Sequence, residues 1–307
     1  MRNTHMKILN FGSLNLDYIY DVDHFVRAKE TLSSLKMEVT CGGKGLNQSL
    51  ALCRSGMPVW HAGAVGAEDS QMLLAMLNQA GVNTQFIRKK SGASGHAIIQ
   101  KEKDGQNCIL LYGGANQEIQ KEEIDETLLH FEQGDFLILQ NEINQIGYLM
   151  QKAHEKGMKI VFNPSPLNEK ISAYPLHLAD YLILNEIEGM GLCNQNEMKD
   201  AGAALAEELG KRFPNAKIVL TLGEGGSIYR DSERTIQQPI YQVKPVDTTA
   251  AGDTFTGFFL GSLLLEGNVE EALDIAAKAS AIAVTRLGAG QSIPAMEEVL
   301  NFEPLHK

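Results

Sequence analysis

VDTTAAGDTFTG, residues 246 to 257, sets two threonines, two alanines and a glycine ahead of Asp253, just before the apolar run FFLGSLLL at 258 to 265. Small residues let other atoms approach the backbone closely. The first amides of a helix have no internal partners and carry roughly half a positive charge, so the natural guest at such an entrance is an anion. Asp253 then either caps the helix or stands beside that anion as a working acid, and position alone leaves both readings open.

Working outward, apolar and β-branched runs alternate with amphipathic stretches. KILNFG (7 to 12), VWHAGAVG (59 to 66), FLILQ (136 to 140), KIVFNP (159 to 164), YLILN (181 to 185) and KIVLTLG (217 to 223) read as buried strands. LNQSLALCRSG (46 to 56), DSQMLLAMLNQAG (69 to 81), INQIGYLMQKAHEKG (143 to 157) and MKDAGAALAEELGKRF (198 to 213) read as helices. That alternation predicts an α/β fold, a mostly parallel sheet with helices on both faces, which binds ligands beyond the carboxyl ends of its strands. Residues 14 to 40 and 94 to 112 break the rhythm. HAIIQKEKDGQNCILLY, with DG at 104 and 105, carries a hairpin signal, and both excursions read as a small β flap able to cover a ligand. The chain is expected to form one domain over 1 to 307 with this flap attached.

Composition narrows the function. With 307 residues, 44% hydrophobic and 21% charged, the chain can bury a large core. A formal charge of −11 argues against nucleic acid and anionic membranes as partners, since both need a basic face. Cys41, Cys53, Cys108 and Cys193 are scattered, with no CxxC pair, so neither a zinc site nor a disulfide framework is expected and a cytoplasmic location is. No signal peptide or membrane-length apolar run is evident, and residues before Met6 read as an extension.

Several polar residues sit where strands and helices begin or end. CGGKGLNQSLAL, 41 to 52, leads a glycine-rich loop into a helix whose first turn carries Asn47 and Gln48, suited to polyhydroxylated ligands or serving only as a turn. Asn15 and Asp17 are spaced i, i+2 and share one face of an extended segment, and Glu142 follows the end of another strand. Such charged acceptors suit vicinal hydroxyls. In LNEIEG, 184 to 189, Asn185 and Glu188 stand three apart, a spacing that fits a capping box as well as a magnesium hydration shell. TLGEGGS, 221 to 227, ends a strand on glycines against which a nucleotide can lie. Neither GxxxxGK[ST] nor a GxGxxG after the first strand is present, so a P-loop enzyme and a dinucleotide dehydrogenase are disfavoured.

Together these stretches resemble the ribokinase-like, or PfkB-type, sugar kinases. CGGKGLNQSLAL is similar to that family's N-terminal signature and VDTTAAGDTFTGFFLG to its C-terminal one; GGAN (113 to 116) and TRLGA (285 to 289) resemble the ribokinase branch. The resemblance implies a three-layer ribokinase-like fold and transfer of phosphoryl from ATP to the primary hydroxyl of a pentose, ribose foremost, with other small sugars, sugar acids or nucleosides as alternatives. A sugar-binding regulator without catalysis is a further alternative, which the intact Asp253 and glycine set oppose.

Residue by residue, the resemblance makes Asp253 the base and Ala250, Ala251 and Gly252 the anion hole. Asn15, Asp17, Gly43, Lys44, Asn47 and Glu142 would grip the sugar. Asn185, Thr221, Gly223 and Gly226 would meet the nucleotide, with the helix near 278 to 286 walling the adenine. Glu188 would hold magnesium through water, and Asp247, Thr249 and Ser292 a monovalent cation, potassium. The flap would act as a lid and pair two subunits into a homodimer. Two positions depart from the pattern: KETLSS at 29 to 34, where GETL is usual, and Leu46, whose bulk is expected to reshape a pocket wall and alter the choice of sugar.

Overall fold

The computed structural model describes residues 6–103, 105–195 and 202–304. Its strands are β1 (Ile8–Phe11), β2 (Asn15–Asp21), β3 (Lys36–Gly42), β4 (Val59–Gly66), β5 (Asn83–Lys90), β6 (Gly95–Lys101), β7 (Asn107–Tyr112), β8 (Phe136–Gln140), β9 (Lys159–Asn163), β10 (Tyr181–Asn185), β11 (Lys217–Thr221), β12 (Ser227–Arg230) and β13 (Thr235–Gln238). Its helices are α1 (Lys44–Arg54), α2 (Gln71–Gln79), α3 (Lys121–Leu128), α4 (Ile146–Glu155), α5 (Glu186–Leu192), α6 (Ala203–Arg212), α7 (Ala251–Glu266), α8 (Val269–Ala283) and α9 (Met296–Leu300).

Nine strands form the central sheet in the order β13-β12-β11-β10-β9-β8-β1-β4-β5. Pairings from β11 across to β5 are parallel, and β12 and β13 add an antiparallel edge. Alternate residues of each strand feed opposite faces. Ile8, Ile138, Val161, Ile183 and Val219 join one buried cluster with α1, α2, α7 and α8; Leu9, Leu139, Phe162, Leu184 and Leu220 join another with α3 to α6. Both faces are apolar because helices cover both, which gives near-continuous hydrophobic runs rather than alternation.

Strands after β1 build toward one edge and those after β8 toward the other, so the topological switch, with its crevice beyond the strand ends, lies between β1 and β8. Two glycines make the crevice compact. A Cβ on Gly45 would lie 2.3 Å from the Ser13 amide, so α1 can enter directly against the chain leaving β1 only with glycine there. One on Gly257 would lie 2.3 Å from Ala51 Cβ, so α7 rests on α1 almost backbone to backbone.

The flap is a second sheet, β3-β2-β6-β7, in which β2 and β6 run parallel and the outer pairs antiparallel. It joins the two excursions into one sheet rather than two separate hairpins. Asp104 of the DG signal lies outside the described residues, as do residues 198 to 201 at the start of the stretch expected to be helical. Among the described residues no helix is long and apolar enough to cross a membrane, and all four cysteines are free.

Candidate active site

Gln140, Asn163, Asn185 and Thr221 are the last residues of β8, β9, β10 and β11, and register sets Gln140 beside Asn163 and Asn185 beside Thr221. A cavity of about 210 Å³ opens beyond this polar row; Asn163, Asn185 and Thr221 reach it, with Lys44 from α1, Glu188 from α5 and Ala250 to Asp253 at the start of α7.

Ala250 caps α7 in the left-handed region, φ 60°. That conformation is disfavoured for a residue with a Cβ by about 1 kcal/mol or more, and it aims the following amides outward. The Ala251 amide bonds to Thr248 O and the Thr254 amide to Ala250 O; those of Gly252 and Asp253 find no acceptor among the described residues. A Cβ built on Gly252 would meet nothing within 4 Å. A bare helix entrance facing a cavity is an anion cradle.

Asp253 sits at its side, 6% exposed. Asn47 Nδ2 donates to its Oδ2 at 3.0 Å and Gln48 Nε2 to its Oδ1 at 2.9 Å. It does not cap the helix; its carboxylate is gripped from α1 across the α1–α7 contact. Asn47 Oδ1, by contrast, is buried with no partner among the described residues.

Lys44 stands between the acids of the site. Burial alone would pull its ammonium down, but Asp253, Glu142 and Glu188 together raise it, so it stays charged. Glu142 Oε2 accepts from the Lys44 amide at 2.8 Å and from Ser13 Oγ, whose oxygen in turn accepts from the Gly45 amide. Burial pushes the Glu142 carboxyl up against the pull of Lys44 and these donors. Asp17, on the flap side, is pushed up to about 7 by burial and by the nearby Glu142 charge. Asn15 Oδ1 accepts from Asn116 Nδ2 at 2.8 Å, and Asn116 belongs to the GGAN stretch.

Asn185 and Glu188 do form the capping box: the Glu188 amide donates to Asn185 Oδ1 at 2.9 Å and the Asn185 amide to Glu188 Oε2 at 3.0 Å. Asp247 Oδ1 accepts from the Thr249 amide and hydroxyl at 2.9 and 2.6 Å, while Oδ2 accepts from the Gly288 amide at 3.0 Å. Although burial opposes it, those donors hold the Asp247 carboxyl below the usual range. Ser292 Oγ is committed to Ala289 O.

The structure therefore brings Lys44, Asn185, Glu188, Thr221 and Ala250 to Asp253 to one cavity, with Asn47 bonded to its edge. Asn15, Asp17, Gly43 and Glu142 are not among the residues that line it; Glu142 is coupled to it through Lys44, and Asp17 feels the Glu142 charge. Gly223 and Gly226 lie off the cavity wall, and a Cβ on Gly226 would strike Gln238 O at 2.2 Å, so that glycine serves the β12–β13 edge. Leu46 corrects the expectation of a reshaped pocket wall. It is fully buried in the cluster with Leu50 and packs toward Gly290, because the first turn of α1 points it to the core. The helix expected near 278 to 286 ends at Ala283. Asn163, Ser165, Thr248 and Thr256 also line the cavity and were not singled out from sequence. Asn163 closes a quoted strand, and strand-end polarity was the available signal.

A parallel sheet with its cleft beyond the carboxyl ends of its strands, an anion cradle and an adjacent held carboxylate define a phosphoryl-transfer enzyme of the ribokinase-like fold. The pfkB family carbohydrate kinase model matches residues 6–296, and the chain belongs to that family, as an ATP-dependent carbohydrate kinase. It is 32% identical over 295 residues to a ribokinase of Haemophilus influenzae, covering 95% of this chain and 96% of that one. It is 27% identical over 311 residues to a deoxyribokinase of Salmonella typhi, with 98% and 100% covered. A structure of Arabidopsis thaliana ribokinase complexed with ribose and ATP superposes with a TM-score of 0.85 at 26% identity, over 96% of this chain and 98% of that one.

Proposed function

We propose that the chain transfers the γ-phosphoryl group of ATP to the primary hydroxyl of a pentose, with D-ribose the preferred acceptor. The observation that carries the reading is Asp253, fixed through both oxygens beside the unpartnered amides of Gly252 and itself. In that pose the carboxylate accepts the hydroxyl proton late in a loose transition state, while the helix entrance and Lys44 balance the charge gathering on the migrating phosphoryl oxygens. Asn47 Oδ1, buried and lacking a donor, would take a sugar hydroxyl; Asn15, Asp17 and Glu142 would take others. Gly43 lets the loop pass close to the sugar.

Asn185 and Thr221, with the turn at Gly223 and Gly226, would receive the nucleotide. The capping box uses only Oε2 of Glu188, which suits the other oxygen to ordering a magnesium hydration shell. Among the described residues no three His, Cys, Asp or Glu side chains form a metal cage; an ion there would be held largely by water and phosphates. Magnesium supplies positive charge across the phosphates when bound. A potassium ion would sit beside Asp247 and Thr249, with Ser292 in the same turn region. The flap would close over the sugar and pair with a second copy through β7, whose Ile109, Leu110, Leu111 and Tyr112 are exposed. Free cysteines suit a cytoplasmic enzyme.

The deoxyribokinase relative supports a second acceptor class, so the test is a panel. ADP release is measured with ribose, deoxyribose, hexoses, sugar acids and nucleosides. Highest kcat/KM with ribose supports the proposal; highest with another sugar moves the specificity, and no turnover with any of them removes the kinase activity.

A further inference from the structure

Behind the site, α1 covers a chain of buried side-chain amides, of which only Gln48 touches Asp253. Gln48 Nε2 donates to Asp253 Oδ1 at 2.9 Å and to Asn163 Oδ1 at 3.3 Å. Gln48 Oε1 accepts from Gln140 Nε2 at 2.7 Å, and the same nitrogen donates to Asn10 Oδ1 at 2.9 Å. Asn10 Nδ2 donates to Gly45 O at 2.7 Å and Ser49 Oγ at 2.8 Å. Gln48, Gln140 and Asn10 are each at most 1% exposed, so water cannot replace any of these bonds.

The chain admits one polarity. A carboxylate accepts only, so Gln48 must turn its amino group to Asp253 and its carbonyl to Gln140. Gln140 must then present its amino group, and Asn10 its carbonyl. At the far end the Asn10 amino group faces Gly45 O, another acceptor. Orientation is thus forced from both ends, and reversing any member sets oxygen against oxygen in a dry interior. Gln140 accepts a cost for this: its Oε1 is left without a partner among the described residues.

We propose that Gln48, oriented by Gln140 and Asn10, is a positioning residue that fixes the Asp253 carboxylate in the plane needed to meet the substrate hydroxyl. This rests on the kinase reading above. Asn47 alone would pin Oδ2 and leave the group free to turn about it; the second donor on Oδ1 removes that freedom. A displacement near 1 Å at a reacting centre lowers rate by about a hundredfold, so the relay is expected to act on kcat rather than on ground-state binding.

The test uses the full chain with Gln48→Met, which keeps volume and removes the donor, and Gln140→Glu, which keeps shape and leaves Gln48 facing an acceptor. Steady-state kinetics are read with saturating and limiting sugar and ATP, with melting temperatures as the check on folding; Gln140→Glu stands in if Gln48→Met does not fold. The expected result is a fall in kcat of roughly tenfold to hundredfold in each, KM for sugar and ATP within about threefold of the parent, and a double variant no slower than the worse single. Unchanged kcat in a folded variant, a loss confined to KM, or losses that multiply in the double variant would overturn it. Those outcomes leave the kinase reading intact as long as the parent turns over sugar; an inactive parent defeats both.

Discussion

Asp17 supplies a pH dependence that can be worked out in advance. Burial, reinforced by the Glu142 charge, lifts its carboxyl from 3.8 to about 7. A sugar hydroxyl donates to a carboxylate better than to a neutral acid, so the ionised form is the one that grips the acceptor. With a midpoint near 7, about a tenth of the free enzyme carries ionised Asp17 at about pH 6 and about nine tenths at about pH 8. The account therefore predicts that kcat/KM for the sugar rises close to tenfold across that interval and then levels. The assay is direct ADP production at limiting sugar and saturating ATP, with the profile of Asp17→Asn taken as reference, since the titration of ATP itself is common to both. Asp17→Asn should be weaker overall and lack the Asp17 limb. The sign for stability is opposite: a raised folded-state value means stability is lost as pH rises from about 4 through about 7. A profile identical in parent and Asp17→Asn would refute the assignment of Asp17 to the acceptor.

Gly257→Ala should force α7 off α1, given the 2.3 Å clash with Ala51 Cβ, lowering stability by about 1–3 kcal/mol and slowing turnover because Asn47 and Gln48 shift from Asp253; calorimetry and initial rates check both. His61, fully buried, has its value pulled from 6.5 down to about 4 by burial. Its folded form binds fewer protons than the unfolded chain between those values, so stability should fall by about 3 kcal/mol as pH drops through that window. Urea midpoints of the parent should show that limb, and those of His61→Gln should not. Leu110, 68% exposed on β7, should contribute to a subunit contact. Leu110→Lys is then expected to shift the sedimenting species from dimer to monomer, and a parent already monomeric counts against the lid interface.

The layered α/β sheet was legible because six of its strands are predominantly apolar runs, broken within the strand only by Asn10 in β1 and His61 in β4, and helices buried on one side repeat at a helical period. β5, β12 and β13 escaped notice. NTQFIRKK and TIQQ are edge strands half open to water, so their patterns are mixed, and SIYR, though buried, is only four residues long and carries a serine and an arginine. In the site, glycine and acid signals located α1 and α7, whereas the amide chain did not declare itself. Asn10, Gln140 and Asn163 come from three strands, and nothing local tells that their side chains converge under one helix. Leu46 misled for a related reason: its neighbours Asn47 and Gln48 face Asp253 while it faces the core, a division set by helix phase. The Asn185 and Glu188 pair shows that a structural cap and a role toward the nucleotide are compatible, since α5 begins at the cavity wall.

The most direct measurement is single-turnover phosphorylation of the preferred sugar by the parent and by Asp253→Asn, which keeps the shape of the group held by Asn47 and Gln48. The account predicts that the variant still binds sugar and ATP yet transfers phosphoryl on the order of a hundredfold or more slowly. Transfer at the parental rate would mean that the hydroxyl proton goes elsewhere and that Asp253 is not the base.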